Sequence, residues 1–326
     1  MMKRILGIAV AAVLMGSGAS ALAAGPSRPE CVAPARPGGG FDLTCRIAVQ
    51  AMEAAKALNR PMAVTYMPGG IGAVAYNVYN TTKAADPNAI VAFSTGSILN
   101  MVTGKFGNWG VGDARYIATA GTDYGAVVVR NDSPFRTLGD LMAKLTADPT
   151  SVVLGAGGSV GSQDWMKAAL LARAANVDPR RMRYVAFEGG GDAITNLLGG
   201  NIQAYTGDAG EMMSHLGDGQ MRILAVLAPE RLPGAYAQIP TAKEAGFDVT
   251  WAIYRGFYMG KNVPDEAYNF YVDAFRKASE TEAFRQIQEA QGLFPFNKSA
   301  DELRSFLMQD AERMREVALS VGLISK

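Results

Sequence analysis

Hydrophobic positions along this chain switch period repeatedly. Short apolar runs rich in β-branched residues predict strands at Met62–Tyr66, Ile90–Phe93, Ala126–Arg130, Val152–Leu154, Arg183–Phe187, Ile223–Leu227 and Ile253–Met259. An earlier run, from Cys31 to Pro34, reads as the first strand. Between these runs the apolar spacing becomes three and four. That predicts helices over 42–57, 137–146, 163–175, 192–199, 264–278, 281–291 and 300–321. Alternation of the two types implies an α/β fold, largely parallel sheets with helices on their faces. Asp148-Pro149, Asp178-Pro179 and Pro233-Gly234 punctuate the pattern as loops.

Glycines gather where strands hand over to helices. Gly38-Gly39-Gly40 precedes Phe41-Asp42, and Pro68-Gly-Gly-Ile-Gly72 has the same placement. So do Gly155-Ala-Gly-Gly-Ser-Val-Gly-Ser-Gln163 and Glu188-Gly-Gly-Gly-Asp192. Such a turn exposes backbone N–H groups beside the positive end of a helix dipole, which suits an anion. No turn has the GxGxxG or GK[ST] form, so a dinucleotide or nucleoside triphosphate is not indicated. In open α/β sheets ligands lie beyond the carboxyl ends of the strands. Two lobes whose glycine turns face one cleft are therefore expected, with the chain crossing near 124–130 and near 250–258.

Lys3 and Arg4 precede the apolar segment Ile5–Met15, and Ala21-Leu22-Ala23 has the small-x-small form of a cleavage site. Residues 1–23 are expected to be a signal peptide and the remainder an exported, periplasmic protein. Removing them takes away two basic residues and no acid, so the net charge moves from +1 to −1. No basic stripe for nucleic acid is present. Both cysteines remain, and export exposes them to oxidising conditions. Cys31 and Cys45 flank the first glycine turn, where a disulfide is expected rather than two buried thiols.

Side chains able to do chemistry are few. His215 is the only histidine. A Ser-His-Asp arrangement or a multi-histidine metal site has little material, and no GxSxG elbow occurs. No cofactor and no metal are expected. Arg255 stands inside an apolar strand pattern and needs a partner there. Its planar fork suits a carboxylate, either that of a ligand or that of a cleft aspartate. Asp208 is a second candidate. Asp42 fits as a helix cap or as a holder of a ligand hydroxyl. Arg36 and Arg46 read as solvated flanks of the first loop.

Four segments match a known family in order: Gly38-Gly-Gly-Phe-Asp42, Tyr66-Met-Pro-Gly-Gly-Ile-Gly72, Phe187-Glu-Gly-Gly-Gly-Asp-Ala193 with Leu197-Leu-Gly-Gly200, and Ile239-Pro-Thr-Ala-Lys-Glu-Ala-Gly246. The chain resembles the extracytoplasmic solute receptors (Bug/TctC-like) of tripartite tricarboxylate transporters, most closely their tricarboxylate-binding branch. The resemblance implies a two-lobed, type 2-like periplasmic binding protein with two crossings and no enzymatic activity. It would bind a carboxylate, citrate or a relative, and deliver it to membrane permease subunits. Lobe 1 would comprise 24–124 plus 255–326, and lobe 2 residues 125–254. Matched by motif, the ligand site would take Gly39, Gly40, Phe41 and Asp42 from the first loop. It would take Gly158, Ser159, Ser162 and Gln163 from the third, and Gly190 and Gly191 from the second lobe. This chain has Ser162-Gln163-Asp164 where many members carry a histidine. It has Gln203-Ala204 where many carry an aspartate, with Asp208 a few residues later. Two other readings stay open: a sensor module for a kinase partner, and a secreted hydrolase using Ser159 or Ser162.

Overall fold

The computed structural model describes residues 25–325; the expected signal peptide lies outside them. Among the described residues the strands are β1 (Glu30–Ala33), β2 (Ala63–Tyr66), β3 (Ala89–Ser94), β4 (Ala114–Arg130), β5 (Val153–Gly157), β6 (Arg183–Phe187), β7 (Ala204–Asp208), β8 (Met221–Val226) and β9 (Ala252–Gly260). The helices are α1 (Gly40–Ala54), α2 (Ala73–Asn80), α3 (Thr95–Val102), α4 (Leu138–Ala147), α5 (Gln163–Ala174), α6 (Gly190–Leu198), α7 (Asp265–Ser279), α8 (Glu282–Ala290) and α9 (Ala300–Ser320).

The long β4 joins two lobes. Over Ala114–Tyr124 it pairs antiparallel with β9, which pairs in turn with β3. Over Gly125–Arg130 it pairs with β7 and β8 instead. The strand order β2-β1-β3-β9-β4-β7-β5-β6 is thus one hydrogen-bonded path that curls through β4, with β8 also on β4. The second passage runs through Trp251 into β9. There the Gly125 N–H donates to the Trp251 carbonyl, and the Trp251 N–H to that of Leu227. Only the outer pairs, β1 with β2 and β3, and β5 with β6 and β7, are parallel. Because both crossing strands return against their neighbours, the middle of the sheet is antiparallel, unlike the largely parallel sheets expected.

Each lobe packs helices on both faces of its strands. Ile47 and Ala51 of α1 meet Phe257 and Phe275 on one face of the first lobe, and Tyr76, Phe93 and Leu307 fill the other. In the second lobe, Leu141, Trp165 and Leu171 pack opposite Ile194, Leu197 and Tyr205. Helix α9 touches both. Leu303 and Leu307 lie in the first lobe, while Met314 and Ala318 join the core around Trp165.

The first turn is held locally. Gly38 sits at φ +86°, open to glycine at little cost. Its N–H donates to Asp42 Oδ2 at 2.9 Å, so α1 starts at Gly40, two residues before the periodic pattern does. Cys31 of β1 and Cys45 of α1 form a disulfide with Cα atoms 5.5 Å apart, both sulfurs buried. Thiol titration of denatured, unreduced protein is expected to find no free thiol. Reduction should lower unfolding stability by about 3 kcal/mol, the value for a closed loop of this length. Two titratable thiols, or an unchanged unfolding midpoint after reduction, would contradict this.

Candidate functional site

Four helices begin at one cavity between the lobes. Gly40 and Phe41 of α1, Gly96 of α3, Gln163 and Asp164 of α5, and Gly190 of α6 all line it. The first N–H groups of a helix have no intrahelical acceptor, and each helix start carries roughly half a positive charge. The cavity therefore combines backbone donors with a positive field. Its volume is about 40 Å³, room for a few waters. A chamber of about 440 Å³ adjoins it and shares Ile71, Asn100 and Ser162 as walls.

At Gly39 and Gly191 the seam between the lobes is too tight for a side chain. A Cβ at Gly39 would lie 3.1 Å from the Gly190 nitrogen, and one at Gly191 would overlap the Pro37 carbonyl. A Cβ at Gly40 would sit 2.7 Å from Arg255 Nη2 and closer still to Nη1. Glycine at 40 thus makes room for an arginine of the protein itself, where the sequence suggested room for a ligand.

Arg255 is 1% exposed, and its Nη2 donates to Asp208 at 2.6 Å and to Asp123 at 3.0 Å. Lys167, wholly buried, reaches Asp164 at 2.7 Å and also pairs with Asp208. It passes Gly125, where a Cβ would stand 2.7 Å from Lys167 Cδ. Glu211 completes the wall from the second lobe. It accepts the Gly40 N–H at 2.6 Å across the seam and the Tyr205 hydroxyl within its own lobe. Two buried cations thus face four buried carboxyl groups, and a proton on Glu211 reduces the excess.

The charges settle accordingly. Burial works against the Arg255 and Lys167 charges, but their carboxylate neighbours outweigh it and both pKa values rise. Burial also pushes Asp208 up, yet Lys167 and Arg255 together hold it below its ordinary value. Burial raises Asp123. Burial, with Asp208 nearby, lifts Asp164 to about 6 against the pull of Lys167. Burial, then Asp208 and Asp164, push Glu211 up to about 8.

Of the residues singled out from sequence, Gly39, Gly40, Phe41, Ser162, Gln163, Gly190, Asp208 and Arg255 line the cavity. Gly158 and Ser159 line the adjoining chamber. Gly191 lies in the seam. Asp42 stands behind the loop, bound to the Gly38 N–H, Arg46 and the Tyr66 hydroxyl. It is the third residue of α1, not its cap. Arg36 reaches Asp192 across the seam at 3.6 Å. Sequence reasoning passed over Asp123, Asp164, Lys167, Glu211 and Asn100. Asp164 and Lys167 have helical spacing, and Asp208-x-x-Glu211 has the spacing of a capping box; either could have been noticed. Among the described residues, neither serine of the hydrolase reading hydrogen-bonds a histidine or a carboxylate. Ser159 Oγ accepts from Lys105 at 3.2 Å, Ser162 donates to the Gly157 carbonyl, and His215 lies beside Asp218.

A family model described as the tripartite tricarboxylate transporter family receptor matches residues 46–323. The chain belongs to that family. A UPF0065 protein from the gbd 5′ region of Cupriavidus necator is 25% identical over 334 residues, covering 99% of each chain. MatC of Rhodopseudomonas palustris, solved with malate, superposes with a TM-score of 0.76 at 20% identity, over 89% of this chain and 98% of its own. An R. palustris protein solved with adipate gives 0.80 at 18% identity, over 90% and 97%. The two solved structures share this chain's fold. No helix among the described residues is long and apolar enough to cross a membrane.

The raised carboxyls have a measurable consequence. In the fold Glu211 titrates near 8, against 4.5 for the ordinary residue. Between those values the folded protein holds a proton that the unfolded chain has released, so stability falls as pH rises through the interval. Asp164 adds to the fall only up to about pH 6. Urea unfolding at pH 5, 6.5 and 8 is expected to show declining midpoints, and Glu211→Gln should flatten the decline above pH 6. The same decline in the variant would contradict the assignment.

Proposed function

We propose that this family member is a periplasmic receptor. It captures a small carboxylate at the interlobe cavity, with the body of the ligand in the adjoining chamber, and presents it to the membrane subunits of its transporter. The observation that carries this is the convergence of four helix starts on one cavity, since such ends together form a strong seat for an acid. Malate and adipate in two proteins of the same fold support a ligand of that size. Citrate, the ligand suggested by the family branch, finds less support. It would bring up to three carboxylates into a small space whose wall already carries the carboxyl groups of Asp164, Asp208 and Glu211. The reading takes lobe 1 as residues 24–124 plus 255–326 and lobe 2 as 125–254, with the last turns of α9 resting on lobe 2. No observation favours the sensor module, so it is not carried forward.

Calorimetric titration with lactate, malate, succinate and citrate, and with glucose as a neutral control, tests the proposal. At least one of the smaller acids is expected to bind without being consumed, more tightly than citrate, and glucose not at all. Gly40→Ala pushes the Arg255 guanidinium from its place and should weaken the bound acid by at least about tenfold, the scale of one lost charge-assisted hydrogen bond. Turnover of the acid, citrate as the best ligand, or unaltered affinity in Gly40→Ala would contradict it.

A further inference from the structure

The chamber of about 440 Å³ beside the cavity has Gly70 and Lys105 of the first lobe in its wall, and Ser159, Phe187 and Glu188 of the second. The end of α3 sets Lys105 there. Gly104 sits at φ +76°; its N–H donates to the Met101 carbonyl at 3.0 Å, and the Lys105 N–H donates to that of Asn100 at 2.8 Å. This paired closure fixes the direction in which the chain leaves the helix. The Lys105 side chain then reaches across to the second lobe. Its Nζ donates to the Val160 carbonyl at 2.7 Å and to Ser159 Oγ at 3.2 Å. Both acceptors are neutral, and among the described residues no acidic side chain forms an ion pair with Lys105. An ammonium has three N–H groups, so one is left over.

A half-buried ammonium without a counter-charge is held at a cost that a carboxylate beside it would offset. The same burial lowers the Lys105 pKa. Glu188 is the other charged residue of the chamber wall, but it is exposed, and water and salt screen it. Cavity and chamber share Ile71, Asn100 and Ser162 as walls. An acid with one carboxylate at the helix starts therefore extends into the chamber that Lys105 lines. We propose that Lys105 is the residue that selects diacids: its remaining N–H receives the second carboxylate of a ligand whose first lies at the helix starts. The inference rests on the receptor reading of the same site and adds to it the group that reads the far end of the ligand.

Matched ligands test it on the intact protein. Succinate and succinamate, glutarate and glutaramate, and adipate and adipamate differ within each pair only in a second carboxylate or its neutral amide. In at least one pair the diacid is expected to bind at least about tenfold more tightly, the scale of one charge-assisted hydrogen bond. Lys105→Met should shrink that advantage to within about threefold, because the charge that tells the two ends apart is gone. Lys105→Arg, which keeps the charge, should retain the preference for the diacid. A lysine that only ties the lobes together would, when replaced by methionine, weaken diacid and amide equally and leave their ratio unmoved. That unmoved ratio, or the absence of a diacid preference in all three pairs, would overturn the inference. If none of the six binds while another acid does, this inference alone falls; if no acid of any kind binds, the receptor reading falls with it.

Discussion

A buried guanidinium must be compensated, and much of the cavity's construction follows from that need. Arg255 enters from β9 and finds Asp123 on β4 and Asp208 at the end of β7. Asp208 is shared with Lys167, which is shared in turn with Asp164. The chain of charges therefore runs from one lobe, through the crossing strands, into the other. Removing one member of such a set leaves its partner charged and dry, which typically costs 3–5 kcal/mol. Glycine at 40 and at 125 makes way for the two long cations. The three glycines of the first loop serve this packing as much as any ligand.

The same wall limits what can be recognised. Arg255 spends one arm of its fork on the protein's own aspartates, so it cannot meet a polyanion as an unengaged cation would. Glu211 already holds the Gly40 N–H, one of the donors the first loop offers. What remains for a ligand is a set of backbone donors at helix starts and the arm of the Arg255 fork that no protein group engages. Backbone donors separate an acid from a neutral molecule; side chains of the wall are left to separate one acid from another.

The architecture was largely legible in the sequence, because period and punctuation carry it. Strands at 183–187 and 253–259 and helices at 264–278 and 300–321 fall within a few residues of their predicted spans. Helices α2 and α3 and strand β7 went unread. They are short, and α3 is buried nearly all round while mixing polar with apolar residues, so no apolar stripe stands out. The antiparallel middle was also hidden, since strand direction depends on which neighbours a crossing strand meets. Loop residues of the site were visible as glycine turns. Of the charged wall only Asp208 and Arg255 drew notice, because Asp123 on β4, the Asp164–Lys167 pair of α5 and Glu211 after β7 are brought together only by the closed sheet path. Arg255 drew notice for the right reason, a charge inside an apolar strand, and its two open partners resolved to the aspartates.

The central role given to the Arg255 network is tested most directly by the unfolding free energy of Arg255→Met, measured by urea denaturation beside the unaltered protein. A loss of about 3–5 kcal/mol is expected, the cost of stranding Asp123 and Asp208 without their cation. A change within about 0.5 kcal/mol, the range of an ordinary surface substitution, would contradict the account and return Arg255 to the ligand.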